Sequence, residues 1–215
     1  MHMNILEIVE KTFDEYCGEF SKILGEEPKN GCFAFKPWLN AWKDENRRSI
    51  HEANQVSKFM ETYKRIAPNP STVLTWMELP IFDNCKLKTH RIDGFIVDNE
   101  RKILFFLEAK RLSRKSNYES LNDDIRHLYD FGNKESKKLY NSFKGLNLLE
   151  YKAYAICLVD IWKDKSAWTR EMVEKRKYDD NFSNNRNRLL GNKLKEVYSD
   201  YFLGYYLMPF YESGR

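Results

Sequence analysis

Three charged side chains between Thr89 and Leu112 stand where local propensity argues against them. Asp93 interrupts the apolar run of residues 91–97, and strands are depleted in Asp. Glu108 and Lys110 end a second run, Ile103-Leu-Phe-Phe-Leu107. Asp98-Asn99-Glu100 between the runs is turn chemistry, so the stretch is predicted as an antiparallel hairpin. Strand side chains alternate faces, which puts Glu108 and Lys110 on one face and Ala109 on the other. A carboxylate and an ammonium at the end of an apolar strand are costly unless they pair or bind something. Two ionised carboxylates on neighbouring strands repel one another, and a cation between them removes that cost. Mg²⁺ suits one or two carboxylates completed by waters and a phosphate oxygen, which makes Asp93 and Glu108 its candidate ligands, with Mn²⁺ as a substitute. Lys110, beside Glu108, is placed to orient or help deprotonate an attacking water and to offset charge developing at phosphorus. An ordinary ion-paired strand end is the competing reading of the same triplet.

Such residues need elements to position them. Ser49-Ile50-His51-Glu52 fits an S-x-x-E capping box and predicts a helix to about Ile66, ended by Pro68 and Pro70. Val56, Phe59, Met60 and Tyr63 form its apolar stripe, and Glu52 lies on that stripe one turn above Val56. Glu52 therefore either completes the cap or faces the acidic hairpin. Residues 72–82 read as a strand, with Pro80 marking an end or an edge. Glu78 breaks its apolar run, either as a solvent-facing residue or as an additional acid of the cleft. Residues 118–131 predict a short helix with Leu121, Ile125 and Leu128 inward, in which His127 is an exposed residue. Residues 151–161 are almost continuously apolar, as in a strand buried on both faces, and Asp160 near its end is ambiguous. Residues 4–24 place Ile5, Ile8, Phe13, Tyr16, Phe20 and Ile23 at helical spacing. Residues 31–46 hold an aromatic group (Phe33, Phe35, Trp38, Trp42) read as core or interface. Residues 163–196 carry an excess of Lys and Arg and read as a solvated helical pair or a phosphate-contacting arm. Residues 198–211 are dense in aromatics and return to the core as a last strand or helix.

The pattern Asp-x14-Glu-x-Lys, carried here by Ile92-Asp93 and Glu108-Ala109-Lys110, resembles the core of the PD-(D/E)xK nuclease superfamily. Ile92 stands where the family's nominal motif has proline. The Gln-x-x-x-Tyr helix motif of the RecB-like branch is not matched, since Ile125 precedes Tyr129 at that spacing. The resemblance spans roughly residues 49–160. It implies a mixed α/β fold of restriction-endonuclease-like type, an α-β-β-β-α-β core with extra N-terminal helices. It adds the backbone carbonyl of Ala109 to the metal ligands, and it admits Glu52 or Glu78 as a further site acid. It implies a Mg²⁺-dependent DNA endonuclease, with RNA as the second substrate class. A homodimer would set one site against each strand of a duplex.

Composition bounds these readings. With 42% hydrophobic and 15% aromatic residues in 215, the chain is globular and is expected to form one domain. That domain is read as an N-terminal helical cap (1–48), a core (49–162) and a basic extension (163–215). A net charge of +4 permits a polyanionic partner without requiring one. Arg101, Lys102, Lys110, Arg111, Arg114 and Lys115 cluster positive charge near the hairpin acids. Cys17, Cys32, Cys85 and Cys157 include no CxxC pair and suit reduced thiols. No run reaches transmembrane length and no signal-peptide layout opens the chain, so a cytoplasmic protein without membrane contact is expected. A catalytically silent nucleic-acid-binding or scaffolding protein on the same fold is the alternative function.

Overall fold

Turn chemistry at Asp98 does close a hairpin, and β3, β6 and α2 are laid directly against it. The computed structural model describes residues 4–25, 39–41, 48–50, 52–83, 86–113, 115–117, 119–121, 123, 150–175, 189–198 and 200–209. In chain order the elements are α1 (Ile5–Gly25), β1 (Leu39–Ala41), β2 (Arg48–Ile50), α2 (Glu52–Ile66), β3 (Val73–Asp83), β4 (Lys86–Asp98), β5 (Ile103–Arg111), β6 (Lys152–Trp162), α3 (Ala167–Lys175), β7 (Gly191–Tyr198) and β8 (Tyr201–Pro209). Strands β1 and β2 pair with each other, and the other six form one sheet in the order β3-β4-β5-β6-β8-β7. Its β5–β6 pair is parallel and all its other neighbours are antiparallel. The chain is thus a mixed α/β protein with a six-stranded mixed sheet flanked by helices.

The apolar run of β6 is explained by its place between β5 and β8. Ile156 and Leu158 join the hydrophobic cluster on one face, and Ala155, Cys157 and Val159 join the cluster on the other. A parallel pair needs a long crossover. The connection from β5 to β6 begins with helical residues 115–117 and 119–121, where Leu121 is buried in the second cluster. The polar linker expected at 113–117 is therefore already helical from residue 115. Cys17 and Cys157 are buried free thiols.

Helices α1 and α2 cover the first face. The stripes expected on both are buried there: Ile8, Phe13, Tyr16 and Phe20 from α1, with Val56, Phe59, Met60 and Tyr63 from α2. Strand β3 is an edge strand, as Pro80 suggested, and it continues to Asp83. The hairpin turn is tied to α2 by buried Asp98, which accepts from the Arg101 N–H at 2.9 Å and from the Tyr63 hydroxyl at 2.7 Å. Burial first, and Asp98 next, push the Tyr63 hydroxyl well above its ordinary pKa and keep it a donor.

Two expectations need correction. Residues 191–198 form a strand and not half of a helical pair. Lys193 and Lys195 alternate with Leu194, a period of two that the charge count concealed, and both ammonium groups bond Asp14 of α1. Ser49 lies in β2 and α2 starts at Glu52, so the helix does not begin where the S-x-x-E box would start it. The side chains of His51, of the 33–42 aromatics and of Ile125, His127 and Leu128 lie outside the described residues.

Gly94 sets how closely α2 approaches the hairpin. A Cβ there would stand 2.4 Å from Val56 Cγ1, 3.1 Å from Leu107 Cδ1 and 3.2 Å from Met60 Sδ. Val56 is a stiff β-branched residue inside a helix and cannot swing away. Gly94→Ala is expected to destabilise the fold by about 1–3 kcal/mol through overpacking, measured by urea denaturation. An unchanged midpoint would show that α2 shifts freely over the hairpin.

Candidate functional site

Asp93 and Glu108 each follow the last pair of the β4–β5 ladder, where β4 leaves β5. The β4–β5 ladder runs from Asp98↔Ile103 to Gly94↔Leu107 and then stops. On its other edge, β5 stays paired with β6 as far as Arg111↔Asp160. Strand β4 meanwhile stays with β3, through Leu79↔Ile92 and Pro80↔Arg91. The two strands therefore splay at Asp93, and the backbone groups of β5 beyond Leu107 lose their β4 partners.

Side chains take over those groups. Asp93 Oδ2 accepts from the Ala109 N–H at 2.9 Å, and Glu52 Oε1 accepts from the Arg111 N–H at 2.7 Å. Each carboxylate spends one acceptor site of about four in this way. The N–H and C=O of one strand residue point to the same edge, so the Ala109 carbonyl lies between the two N–H groups. These groups are separated by two residues, roughly 6.6 Å of strand. Alternation puts Glu108 and Lys110 on the Leu104–Phe106 face of β5. On β4, Ile92 and Phe95 both join that same cluster, so the alternation is interrupted beside Asp93. Ala109 is reversed into the opposite cluster, as the spacing predicted. Glu108 and Lys110 are half-buried.

Among the described residues, no group of three or more His, Cys, Asp or Glu side chains is arranged to hold a metal ion. A cation at the splay would rest on fewer carboxylates, the Ala109 carbonyl and waters, which is the manner of Mg²⁺. Glu78 is not brought to β5. It lies exposed on β3, one strand further out, with φ at 50°, between the pairs Met77↔Gly94 and Leu79↔Ile92. The register is unchanged across it, so Glu78 stands opposite Asp93, where β4 turns away from β5. The register shift of this pair of strands comes later, between Pro80 and Phe82.

Behind the splay is a buried polar cluster that the sequence reading left undecided at Asp160. This carboxyl is fully buried and accepts from Arg111 Nε at 2.9 Å, Gln55 Nε2 at 2.8 Å and the Tyr201 hydroxyl at 2.9 Å. The Tyr16 hydroxyl reaches Gln55 in turn at 3.4 Å. Burial lowers the proton affinity of the Arg111 guanidinium, but Asp160 outweighs it, with Tyr201 and Glu52 adding to the pull. The signal for this cluster was present: Asp160 shares the strand face of Ile156, Leu158 and Trp162, where a lone charge is untenable.

Among the described residues, three of the six clustered basic residues do not face the candidate site as free cations, while Arg114 lies outside the described residues. Arg101 pairs with Asp98 at 2.7 Å in the β4–β5 turn, at the opposite end of β5 from the acids. Lys102 lies in that same turn, over the Tyr151 ring. Arg111 is spent on Asp160. A run of basic residues in sequence was divided between the two ends and faces of one strand.

Comparisons with protein-family models, with curated proteins and with solved structures find nothing that matches this chain. Among the described residues, no helix is long and apolar enough to cross a membrane.

Burial raises the Asp160 pKa above the ordinary value of 3.8, against the pull of Arg111, Gln55 and Tyr201. A carboxyl with a raised folded-state pKa favours folding while protonated. That contribution is lost as pH climbs from the unfolded value, about 3.9, through the raised one. Wild type should therefore lose stability relative to Asp160→Asn as pH rises above about 4, read from urea midpoints at successive pH values. A gap that does not vary with pH would mean that the carboxyl titrates as it does in water.

Proposed function

We propose that the chain is a metal-dependent nuclease of the PD-(D/E)xK class, hydrolysing phosphodiester bonds of DNA on a restriction-endonuclease-like core. One observation carries the reading: Asp93 and Glu52 grip successive β5 N–H groups on either side of the Ala109 carbonyl. Glu108 and Lys110 project from the same strand, on either side of Ala109 in sequence. Oxygen donors of this kind, few in number, fit Mg²⁺, and Mn²⁺ accepts the same ligands. When bound, the ion would polarise a phosphoryl oxygen and acidify a water. The chain's own part is to hold the carboxylates ready, each with one oxygen fixed on a main-chain N–H before any cation arrives. Lys110 would orient the attacking water and oppose negative charge building on the phosphate. DNA is the first substrate class and RNA the second. A homodimer would suit cleavage of both duplex strands. The buried free thiols of Cys17 and Cys157 agree with a cytoplasmic setting.

The same two hydrogen bonds favour one other reading. Carboxylates that accept backbone N–H groups repair a broken ladder whether or not a cation joins them. The chain would then be a catalytically silent nucleic-acid-binding or scaffolding protein.

Conservative amide variants separate the two. Asp93→Asn and Glu52→Gln retain a carbonyl oxygen for the Ala109 and Arg111 N–H groups, so stability should move by no more than about 1 kcal/mol. Cleavage of plasmid and single-stranded DNA with Mg²⁺ or Mn²⁺ should stop with EDTA. It should fall on the order of 100-fold or more in Asp93→Asn and in Lys110→Ala. Turnover that persists in both variants would remove the mechanism. Salt-sensitive, cation-independent DNA binding with no cleavage would establish the scaffolding reading.

A further inference from the structure

Gln55 is completely buried on the face of α2 that carries Val56, Phe59 and Met60. An apolar side chain of similar length would cover the sheet there without the cost of burying a primary amide. Both ends of that amide are used. Its nitrogen donates to Asp160 Oδ1 at 2.8 Å, and its oxygen accepts from the Tyr16 hydroxyl of α1 at 3.4 Å. Glu52 lies three residues earlier, so the two side chains leave the first turn of α2 from one face. Glu52 lands on the Arg111 N–H of β5 and Gln55 on Asp160 of β6, and Arg111 and Asp160 are register partners on those adjacent strands. The first turn of the helix is therefore fixed at two points on two strands.

Position matters at Glu52 because this residue opens the helix. The N–H groups of a first turn have no partner within the helix, so contacts made by its side chains set where it sits. The Glu52 carboxylate stands 2.7 Å from the Arg111 nitrogen, and a drift of about 0.5 Å reaches the limit of N–H···O bonding. We propose that Gln55 is a positioning residue: by pinning the first turn of α2 to Asp160, it keeps Glu52 on the Arg111 N–H, beside the Ala109 carbonyl, where a divalent cation would find it. Tyr16 keeps the amide the right way round, because an amide that receives a hydroxyl on its oxygen turns its nitrogen to the carboxylate. The cation half of this inference rests on the nuclease reading. The hold on the Arg111 N–H does not, and it can be measured with no metal present.

The test compares two amide protons on the same edge of β5. The Arg111 N–H is held by Glu52 from α2 and the Ala109 N–H by Asp93 from β4. The ratio of their hydrogen-exchange rates therefore reports the hold of α2 and cancels changes in global stability. Gln55→Met keeps the length of the side chain and removes the amide. In cation-free protein it should raise the Arg111 rate relative to Ala109 on the order of fivefold, the loss of one hydrogen bond. Tyr63→Phe releases the other end of α2 from Asp98; it should lower the urea midpoint and leave the ratio at its wild-type value. A purely structural role for Gln55 predicts a ratio unchanged in Gln55→Met, or raised equally by Tyr63→Phe, and either result overturns the proposal. If Gln55→Met folds poorly, Gln55→Asn, with its amide one methylene short of Asp160, is read in its place. In a titration with Mn²⁺ alone, followed by electron paramagnetic resonance, Gln55→Met should bind about tenfold more weakly than wild type. Wild type that takes up no Mn²⁺ overturns the nuclease reading and the cation half of this inference, and the exchange ratio decides the rest. Mn²⁺ bound equally by wild type and Gln55→Met overturns the cation half alone and leaves the nuclease reading standing.

Discussion

Strand β5 is paired to its last residue on one edge and abandoned after Leu107 on the other, and the rest of the candidate site follows from that asymmetry. Main-chain donors that lose a strand partner in a half-buried setting must find another acceptor. Water serves where it can reach; here two carboxylates serve instead, one from β4 and one from α2. The anions are therefore fixed by a backbone requirement of the sheet. Side chains held in this way need no further scaffolding to stay within hydrogen-bond tolerance of one position.

Helix α2 is the second element of the design, because it is tied along its whole length to the hairpin that splays. Its C-terminal half bonds the turn through Tyr63 and Asp98, its middle packs into the space left by Gly94, and its first turn holds Arg111 and Asp160. A shift of α2 along the strands would break polar contacts at both ends and create a clash in the middle. Apolar packing alone would tolerate small slides, since it has no direction. The polar ends supply the direction.

Much of this was legible from local pattern. The hairpin, the α2 stripe, the doubly buried β6 and the edge position of β3 each follow from residues within one element, where periodicity of 2 or 3.6 speaks directly. The alternation that joins Glu108 to Lys110 and reverses Ala109 is equally local. What escaped is non-local. Asp160 has partners at positions 55, 111 and 201, so nothing beside it in sequence announces its role. Glu52 was legible as a helix-start acid, yet its acceptor role depends on a ladder ending elsewhere. The fate of the basic residues could not be read from their clustering, because a strand carries Arg101 and Arg111 to opposite ends. Strand β7 was hidden by composition: Lys193 and Lys195 look solvated until Asp14 of α1 is set beside them.

Charge counting at the splayed end of β5 gives these placements a common logic. Glu52, Asp93, Glu108 and Asp160 bring four negative charges, and Lys110 and Arg111 bring two positive ones. If Arg111 were shared freely among the acids, it would blunt the carboxylates that face the gap between β4 and β5. Arg111 is bonded to Asp160 instead, and Glu52, Asp93 and Glu108 lie half-buried near the end of the β4–β5 ladder. Carboxylates crowded in such a place repel one another. A merely structural repair of the ladder would be served as well by Asn or Gln, whose oxygens accept the same N–H groups without repulsion. The chain instead carries Asp93 and Glu52 there, with Arg111 bonded through its side chain to Asp160.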